Sequence, residues 1–181
     1  MTDGQDRKVE VIFSPEDIGS RVRELAEEIK AAGLDRLLVV AVLKGSFVFA
    51  ADLIRALHDV GLSPEVDFIS LSSYRSATRS SGRVEILRDV DLDVSERNVL
   101  LIDDILESGR TLAYAKDLMA ARGARSVTTC VLLRKKTRRA VAIDADFYAF
   151  DCPEVFVVGY GMDVAYRYRQ LPFVGYIPRT P

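Results

Sequence analysis

The sequence has few of the residues that build disulfide frameworks and zinc sites. It contains two cysteines and one histidine among 181 residues. Cys130 lies in an apolar run and Cys152 precedes a proline, so we predict buried thiols in a protein of the reducing cytoplasm. The sequence has no Cys/His cluster and therefore offers no zinc site. The single histidine, His58, falls near a predicted helix end, where the helix dipole accounts for it.

Long apolar segments and an excess of one charge are also missing. The longest apolar runs, such as LLVVAVL, fall far short of the ~20 residues that a membrane-spanning helix needs. The N-terminal sequence MTDGQDRKVEVIF lacks the apolar centre of a secretory signal. The 25 basic and 27 acidic residues leave a net charge of −2, which argues against general binding of nucleic acid or membranes. The length suits a single domain, 1–181.

Strand and helix patterns alternate along the chain. Strands are predicted at 9–13, 37–43, 66–71, 99–102, 127–133 and 155–158. Helices are predicted at about 15–33, 46–57 and 111–121. The first helix opens with a capping box of Ser14 and Asp17. We therefore predict an α/β fold with a largely parallel central sheet flanked by helices, and ligands bind at the carboxyl ends of the strands in such sheets.

The segment 72–83, SSYRSATRSSGR, interrupts this alternation. It is polar, rich in serine and arginine, and has no hydrophobic period. A loop of about a dozen residues inside a compact domain is uncommon and is often a functional lid. The position of the segment is equally compatible with a lid and with surface disorder.

The segment 100–112, LLIDDILESGRTL, carries the strongest chemical signal. An apolar strand ends in Asp103 and Asp104, and a short Ser-Gly-Arg-Thr turn leads into a helix. A helix N-terminus presents unpaired N–H groups and partial positive charge, which suit a monophosphate. The two carboxylates would bind sugar hydroxyls or a divalent cation beside it. The alternative is an ordinary turn with helix-favouring acids, and neither G-x-x-x-x-G-K-[ST] nor G-x-G-x-x-G occurs.

The segment 103–111 resembles the ribose-phosphate binding loop of type I phosphoribosyltransferases. Further segments resemble the hypoxanthine-guanine branch of that family, in an order and spacing that fit from about 9 to 175: Leu43-Lys44-Gly45, Ser73-Tyr74, Leu132-Leu133-Arg134-Lys135 and FVVGYGMD at 156–163. The resemblance implies the type I fold, with a small hood and a mobile lid over about 72–83. It also implies transfer of 5-phosphoribosyl from phosphoribosyl pyrophosphate to hypoxanthine or guanine, which gives IMP or GMP and pyrophosphate in purine salvage. The implied cofactor is Mg²⁺, and the implied assembly is a homodimer or homotetramer.

The resemblance also implies roles for the residues around the sugar phosphate. The ribose hydroxyls would be held by Asp103 and Asp104, and these two would hold Mg²⁺ together with Asp163. The 5′-phosphate would lie against Ser108, Gly109, Arg110 and Thr111. The pyrophosphate would contact Lys44, Gly45, Arg169 and Arg139. The Lys44–Gly45 peptide is expected to be cis, and Ser73 and Tyr74 would lie on the lid.

For the base, the resemblance implies that Lys135 donates a hydrogen bond to the oxygen at position 6. Adenine carries an amino group there, which is a donor where the lysine needs an acceptor. Phe156 would stack on the purine, and the backbone of Val157 would read its edge. The catalytic residues would be Glu107, as general base near N7, with Lys135 and Arg169. The residues alone equally allow Phe156 as a core side chain and Lys135 as part of a solvated charge run.

Two positions depart from the family pattern. Asp103 stands where glutamate is expected, and Glu107 stands where aspartate is expected. Glu107 keeps a carboxylate but adds one carbon–carbon bond, roughly 1.5 Å. We expect it still to act as a base, with the loop slightly repositioned. The altered carboxylates favour one alternative, a non-catalytic nucleotide-sensing regulator on the same fold. Within the enzyme class, a xanthine-preferring or orotate-type enzyme is another alternative.

Overall fold

The computed structural model describes residues 8–73, 84–137 and 139–178. The strands are β1 (Glu10–Phe13), β2 (Leu37–Leu43), β3 (Glu65–Ser73), β4 (Val84–Arg88), β5 (Asn98–Leu106), β6 (Ser126–Lys135), β7 (Phe147–Cys152), β8 (Val157–Val158) and β9 (Val174–Tyr176). The helices are α1 (Pro15–Ala31), α2 (Phe47–Asp59) and α3 (Arg110–Ala121). Within the described ranges, none of the helices has the length and apolar character to cross a membrane.

Two sheets organise the described residues. The larger sheet has the strand order β4-β3-β2-β5-β6-β7 and is parallel except for its antiparallel edge strand β4. Strands β1, β9 and β8 form a small antiparallel sheet. The predicted α/β fold with a largely parallel sheet is confirmed, and the small sheet corresponds to the expected hood.

The central strand β2 is apolar because both of its faces are covered. Its alternate residues Leu37, Val39 and Ala41 enter one core with α1 and α2. The intervening residues Leu38, Val40 and Val42 enter a second core, to which α3 contributes Ala115 and Met119. Successive side chains of a strand point to opposite faces, so a run without polar alternation requires helices on both sides.

The first helix begins as its sequence predicts. Asp17 donates its backbone N–H to the Ser14 hydroxyl at 3.1 Å, and the Asp17 carboxylate accepts the Ser14 N–H at 3.2 Å. Pro15 occupies the first turn, where no N–H is needed.

Both predicted thiols are also buried, at Cys130 and Cys152.

The strand predictions were incomplete at the sheet edges and in the hood. Strands β4, β7 and β9 were not predicted, and the run 155–158 contributes only β8 to the small sheet. Strand β5 continues to Leu106, so Asp103 and Asp104 lie within the strand rather than after it. Edge and hood strands are short or partly exposed, so their hydrophobic pattern is weak.

Candidate active site

A cleft of about 240 Å³ opens at the carboxyl ends of β2 and β5. The chain places β3 on one side of β2 and later places β5 on the other side. A crevice forms where the strand order reverses in this way, and such crevices bind ligands. The cleft is lined by Lys44 and Gly45 after β2 and by 103–109 at the end of β5. The fold therefore joins the segments predicted to bind pyrophosphate and ribose phosphate.

Gly45 lies against Asp104 so closely that a side chain would not fit. A Cβ atom added to Gly45 would fall 1.7 Å from the Asp104 Oδ2 atom. The neighbouring Ser46 is buried and donates its hydroxyl to the Val42 carbonyl at 2.5 Å. The prediction of a cis Lys44–Gly45 peptide was wrong by one residue, because the cis bond joins Leu43 to Lys44.

Asp103 and Asp104 form an adjacent acidic pair at the base of the cleft. Asp103 is 7% exposed, and its Oδ1 atom accepts the Asp104 N–H at 2.9 Å. Burial, and then the charge of Asp104, raise the pKa of the Asp103 carboxyl well above its ordinary value. Burial also raises the pKa of Asp104, an effect that the positive charge of Arg169 opposes. Sugar hydroxyls or a cation would stabilise the charged forms of this pair.

The carboxylates predicted to bind Mg²⁺ occupy two places in the structure. Asp163 lies in a separate loop and forms an ion pair with Arg169 at 2.8 Å. The described part of the chain contains no group of three acidic, histidine or cysteine side chains that would hold a metal by themselves. Mg²⁺ usually binds one or two carboxylates together with substrate phosphates and water. The donor set fits that mode, with the Asp103–Asp104 pair and Asp163 as separate positions.

The turn after β5 presents the N-terminus of α3 to the cleft. Gly109 precedes the helix with a φ of +78°, a left-handed conformation that glycine adopts without strain. A Cβ at Gly109 would also lie 2.7 Å from the Ile143 Cγ2 atom. The Ser108 carbonyl accepts the backbone N–H of Val141 at 3.2 Å, which anchors the turn from behind. Thr111 lines the cleft beside this helix end.

Lys135 and Glu107 form an ion pair beside the cleft. Lys135 ends β6 and Glu107 follows β5, and these parallel strands end at the same edge of the sheet. The Lys135 Nζ atom donates to Glu107 Oε1 at 2.9 Å, with side chains 8% and 43% exposed. Lys135 is therefore not part of a solvated charge run, unlike Lys136, whose side chain is 70% exposed and pairs with Asp151.

Arg139 forms its hydrogen bonds and its ion pair with residues close to it in the chain. Its guanidinium donates to the Ile143 carbonyl at 2.5 Å and to the Lys135 carbonyl at 3.4 Å, and it pairs with Asp144 at 3.2 Å. Its buried Nε atom has no hydrogen-bond partner among the described residues. These contacts hold the segment that carries Lys135, and pyrophosphate binding by Arg139 stays a prediction.

Arg169 and Asp163 lie on a loop that packs against the start of α2. Arg169 donates to the Gly161 carbonyl at 2.6 Å and accepts the Gly161 N–H at its own carbonyl at 3.0 Å. A Cβ at Gly161 would lie 2.4 Å from the Gly45 carbonyl oxygen. The loop with the predicted metal and pyrophosphate residues thus touches the Gly45 segment directly.

Phe156 and Val157 differ in their surroundings. The Phe156 side chain is 58% exposed and so does not belong to the core. Val157 is buried in β8, and it pairs with Tyr176 in the small sheet. The ring face of Phe156 is thus accessible and the backbone of Val157 is held in a strand, and the stacking and edge-reading roles stay predictions.

Most of the predicted lid lies outside the described residues. Tyr74 falls outside them, as does the side chain of Ser73. The backbone of Ser73 is described and pairs with Val84 at the end of β3. The lid roles of both residues stay predictions.

Sequence reasoning missed the contact between Tyr160 and Asp52. The Tyr160 hydroxyl donates a hydrogen bond to the Asp52 carboxylate on α2. The available signal was a tyrosine between Gly159 and Gly161, because a bulky side chain is unusual in a glycine-rich turn and indicates a specific contact. The partner on α2 could not be foreseen from the local sequence.

Comparison with known proteins identifies the family. The phosphoribosyl transferase domain model matches residues 9–165. The hypoxanthine-guanine phosphoribosyltransferase of Bacillus subtilis is 45% identical over 166 residues, which cover 91% of each chain. A crystal structure of the Bacillus anthracis hypoxanthine-guanine phosphoribosyltransferase is 39% identical, with a TM-score of 0.86 over 96% of this chain and 100% of that one. The Trypanosoma cruzi hypoxanthine phosphoribosyltransferase in complex with the product IMP is 34% identical, with a TM-score of 0.86 over 98% of both chains. The chain belongs to the hypoxanthine-guanine phosphoribosyltransferase family.

Proposed function

We propose that this protein transfers the 5-phosphoribosyl group from phosphoribosyl pyrophosphate to hypoxanthine or guanine and releases pyrophosphate. The observation that carries the proposal is the Lys135–Glu107 pair, 2.9 Å apart, beside the cleft between β2 and β5. A donor and an acceptor at this spacing complement the oxygen at position 6 and the N7–H of a 6-oxopurine. The names of the relatives support the same substrates.

The base half of the site consists of Lys135, Glu107, Phe156 and Val157. Lys135 donates to the oxygen at position 6, and it rejects adenine because a buried ammonium facing an amino group leaves two donors opposed. The exposed Phe156 ring offers a face for stacking, a contact that contributes about 1–3 kcal/mol per base. The Val157 backbone, held in β8, reads the far edge of the ring.

The sugar-phosphate half consists of the cleft itself. Asp103 and Asp104 bind the ribose hydroxyls, which donate to these carboxylates and stabilise their charged forms. The turn from Ser108 to Thr111 receives the 5′-phosphate at the N-terminus of α3. Gly45, at which no side chain fits, lets the backbone approach the pyrophosphate.

Mg²⁺, when bound, neutralises the charge of the pyrophosphate, and Asp103, Asp104 and Asp163 are the residues that would hold it. In the reaction, N9 of the purine bonds to C1′ of the ribose as the bond from C1′ to the pyrophosphate oxygen breaks. Glu107 accepts the proton that leaves N7, and Lys135 stabilises the electron density on the oxygen at position 6. Arg169 and Lys44 place positive charge beside the departing pyrophosphate.

We also propose a cytoplasmic setting and a homodimer or homotetramer. The buried thiols of Cys130 and Cys152 suit a reducing compartment. A groove of about 680 Å³, lined by residues of α1 and α2 and the segment 169–172, offers surface for a second copy. Light scattering of the purified protein tests the assembly.

The function is tested by mixing purified protein with phosphoribosyl pyrophosphate, Mg²⁺ and one of hypoxanthine, guanine, xanthine or adenine. We expect nucleotide from hypoxanthine or guanine and none from adenine. Preferential turnover of xanthine would favour the xanthine alternative. Tight binding of nucleotide without turnover of any base would instead identify a non-catalytic regulator and would refute the proposal.

A further inference from the structure

The Tyr160 side chain connects the loop 159–163 to helix α2. Tyr160 is 6% exposed, and its hydroxyl donates to the Asp52 carboxylate. Its backbone has a φ of +49°, a left-handed conformation that costs a non-glycine residue about 1–3 kcal/mol. Burial and the neighbouring Asp52 raise the pKa of Tyr160, so its hydroxyl remains a protonated donor. The side chain contacts hold a tyrosine at a position that glycine would occupy more easily.

The loop that Tyr160 holds carries residues of the sugar-phosphate half of the site. The Tyr160 N–H donates to the Leu171 carbonyl at 2.9 Å, and Gly161 exchanges backbone and side-chain hydrogen bonds with Arg169. Arg169 in turn pairs with Asp163 at 2.8 Å. These contacts join the loop and the segment 169–171 into one hydrogen-bonded unit, which carries Asp163 and Arg169.

Helix α2 follows Gly45, which belongs to the sugar-phosphate half of the site. It begins at Phe47, two residues after Gly45, and Asp52 lies about one and a half turns further along. The first contact between the loop and the start of the helix is the close backbone approach of Gly161 to Gly45. The hydrogen bond from Tyr160 to Asp52 is a second contact, further along the helix. Because the two contacts are separated, the loop cannot rotate about either one alone.

We propose that Tyr160 is a positioning residue that sets Asp163 and Arg169 relative to Gly45, and thereby governs binding of phosphoribosyl pyrophosphate with Mg²⁺ without touching either. This inference rests on the proposed function of the site. It predicts a selective defect, because Lys135 and Glu107, which bind the base, lie at the ends of β6 and β5 and not on the loop that Tyr160 holds. A residue that only stabilises the fold would not separate the two substrates.

The test compares Tyr160→Phe with the wild-type protein in steady-state kinetics and in calorimetric titrations with phosphoribosyl pyrophosphate and Mg²⁺ in the absence of base. We expect KM for phosphoribosyl pyrophosphate, its Kd and the Mg²⁺ concentration for half-maximal rate to rise about 3- to 10-fold, as the net contribution of a typical intramolecular hydrogen bond predicts. KM for hypoxanthine should change less than about twofold. Asp52→Ala should reproduce the defect, and the double variant should be no worse than either single variant, since both remove the same contact.

Tyr176→Phe is the matched control. The Tyr176 hydroxyl also donates to a carboxylate, that of Glu10 at 2.5 Å, but in the small sheet. We expect it to leave the constants for phosphoribosyl pyrophosphate and Mg²⁺ unchanged. Unchanged constants in both Tyr160→Phe and Asp52→Ala would overturn the positioning role, as would an equal rise in KM for both substrates. In either case, turnover by the wild-type protein would leave the proposed function standing. Absence of turnover in the wild-type protein would overturn both.

Discussion

Replacement of Glu107 by aspartate should improve binding of the purine. In the free protein, the Lys135 Nζ atom donates to the Glu107 carboxylate, whereas in the proposed function Lys135 donates to the oxygen at position 6 of the base. The base therefore competes with Glu107 for Lys135. Aspartate is shorter by one carbon–carbon bond, about 1.5 Å, which takes its oxygens out of hydrogen-bond reach of Lys135 without movement of the backbone.

The size of the effect follows from the exposure of the pair. A hydrogen bond between charged groups contributes about 1.5–3 kcal/mol when it is well shielded. The Glu107 side chain is 43% exposed, so solvent screening reduces the value to about 1 kcal/mol. Release of Lys135 by Glu107→Asp should lower KM for hypoxanthine about 3- to 10-fold. The value of kcat should stay within about threefold, because a carboxylate remains available as the base.

Initial rates at saturating phosphoribosyl pyrophosphate measure both constants. Glu107→Gln separates the two roles of the side chain, since it removes the basic group, and kcat should fall at least about 100-fold. Glu27→Asp, on the exposed face of α1, is the control for the same shortening away from the site. An unchanged or higher KM for hypoxanthine in Glu107→Asp would refute competition by Glu107, and undiminished turnover in Glu107→Gln would refute its role as base.

Three further predictions concern selectivity, stability and access to the cleft. Lys135→Gln should reduce the ratio of kcat/KM for hypoxanthine to that for adenine at least about 10-fold, because an amide can face either base. Asp103→Asn should stabilise the ligand-free protein by about 0.5–2 kcal/mol, measured by thermal unfolding. Burial and Asp104 raise the pKa of Asp103, so the folded protein keeps a proton that the unfolded chain loses, and stability falls as pH rises from the ordinary pKa of aspartate to that raised pKa. The gain should therefore be larger at pH 8 than at pH 5, and an equal gain at both would contradict the assignment. Gly45→Ala should raise KM for phosphoribosyl pyrophosphate at least about 10-fold, because the added Cβ would fall 1.7 Å from the Asp104 Oδ2 atom and would displace that carboxylate in the cleft.

Local patterns predicted the parts of the fold that local physics governs. The capping box at Ser14 and Asp17 formed as predicted, because both partners lie within one helical turn. The unbroken apolar run of β2 predicted a strand covered on both faces, and the turn before α3 was recognisable from its acids and its glycine. Strands β4, β7 and β9 escaped prediction because they are short or lie at partly exposed sheet edges, where the hydrophobic pattern is weak.

The candidate site also has features that the local sequence predicts and features that only the fold decides. The sequence by itself determined which residue types were available for the chemistry. Through a helix-terminus turn after a buried strand, it also predicted a phosphate site. Only the tertiary structure decided that Lys135 meets Glu107, that Gly45 touches Asp104 and that Tyr160 reaches Asp52. Each of these pairs joins segments far apart in the chain, and their meeting depends on strand order and helix packing. Those long-range terms leave no period or spacing in the local sequence, which is why they appear only once the chain has folded.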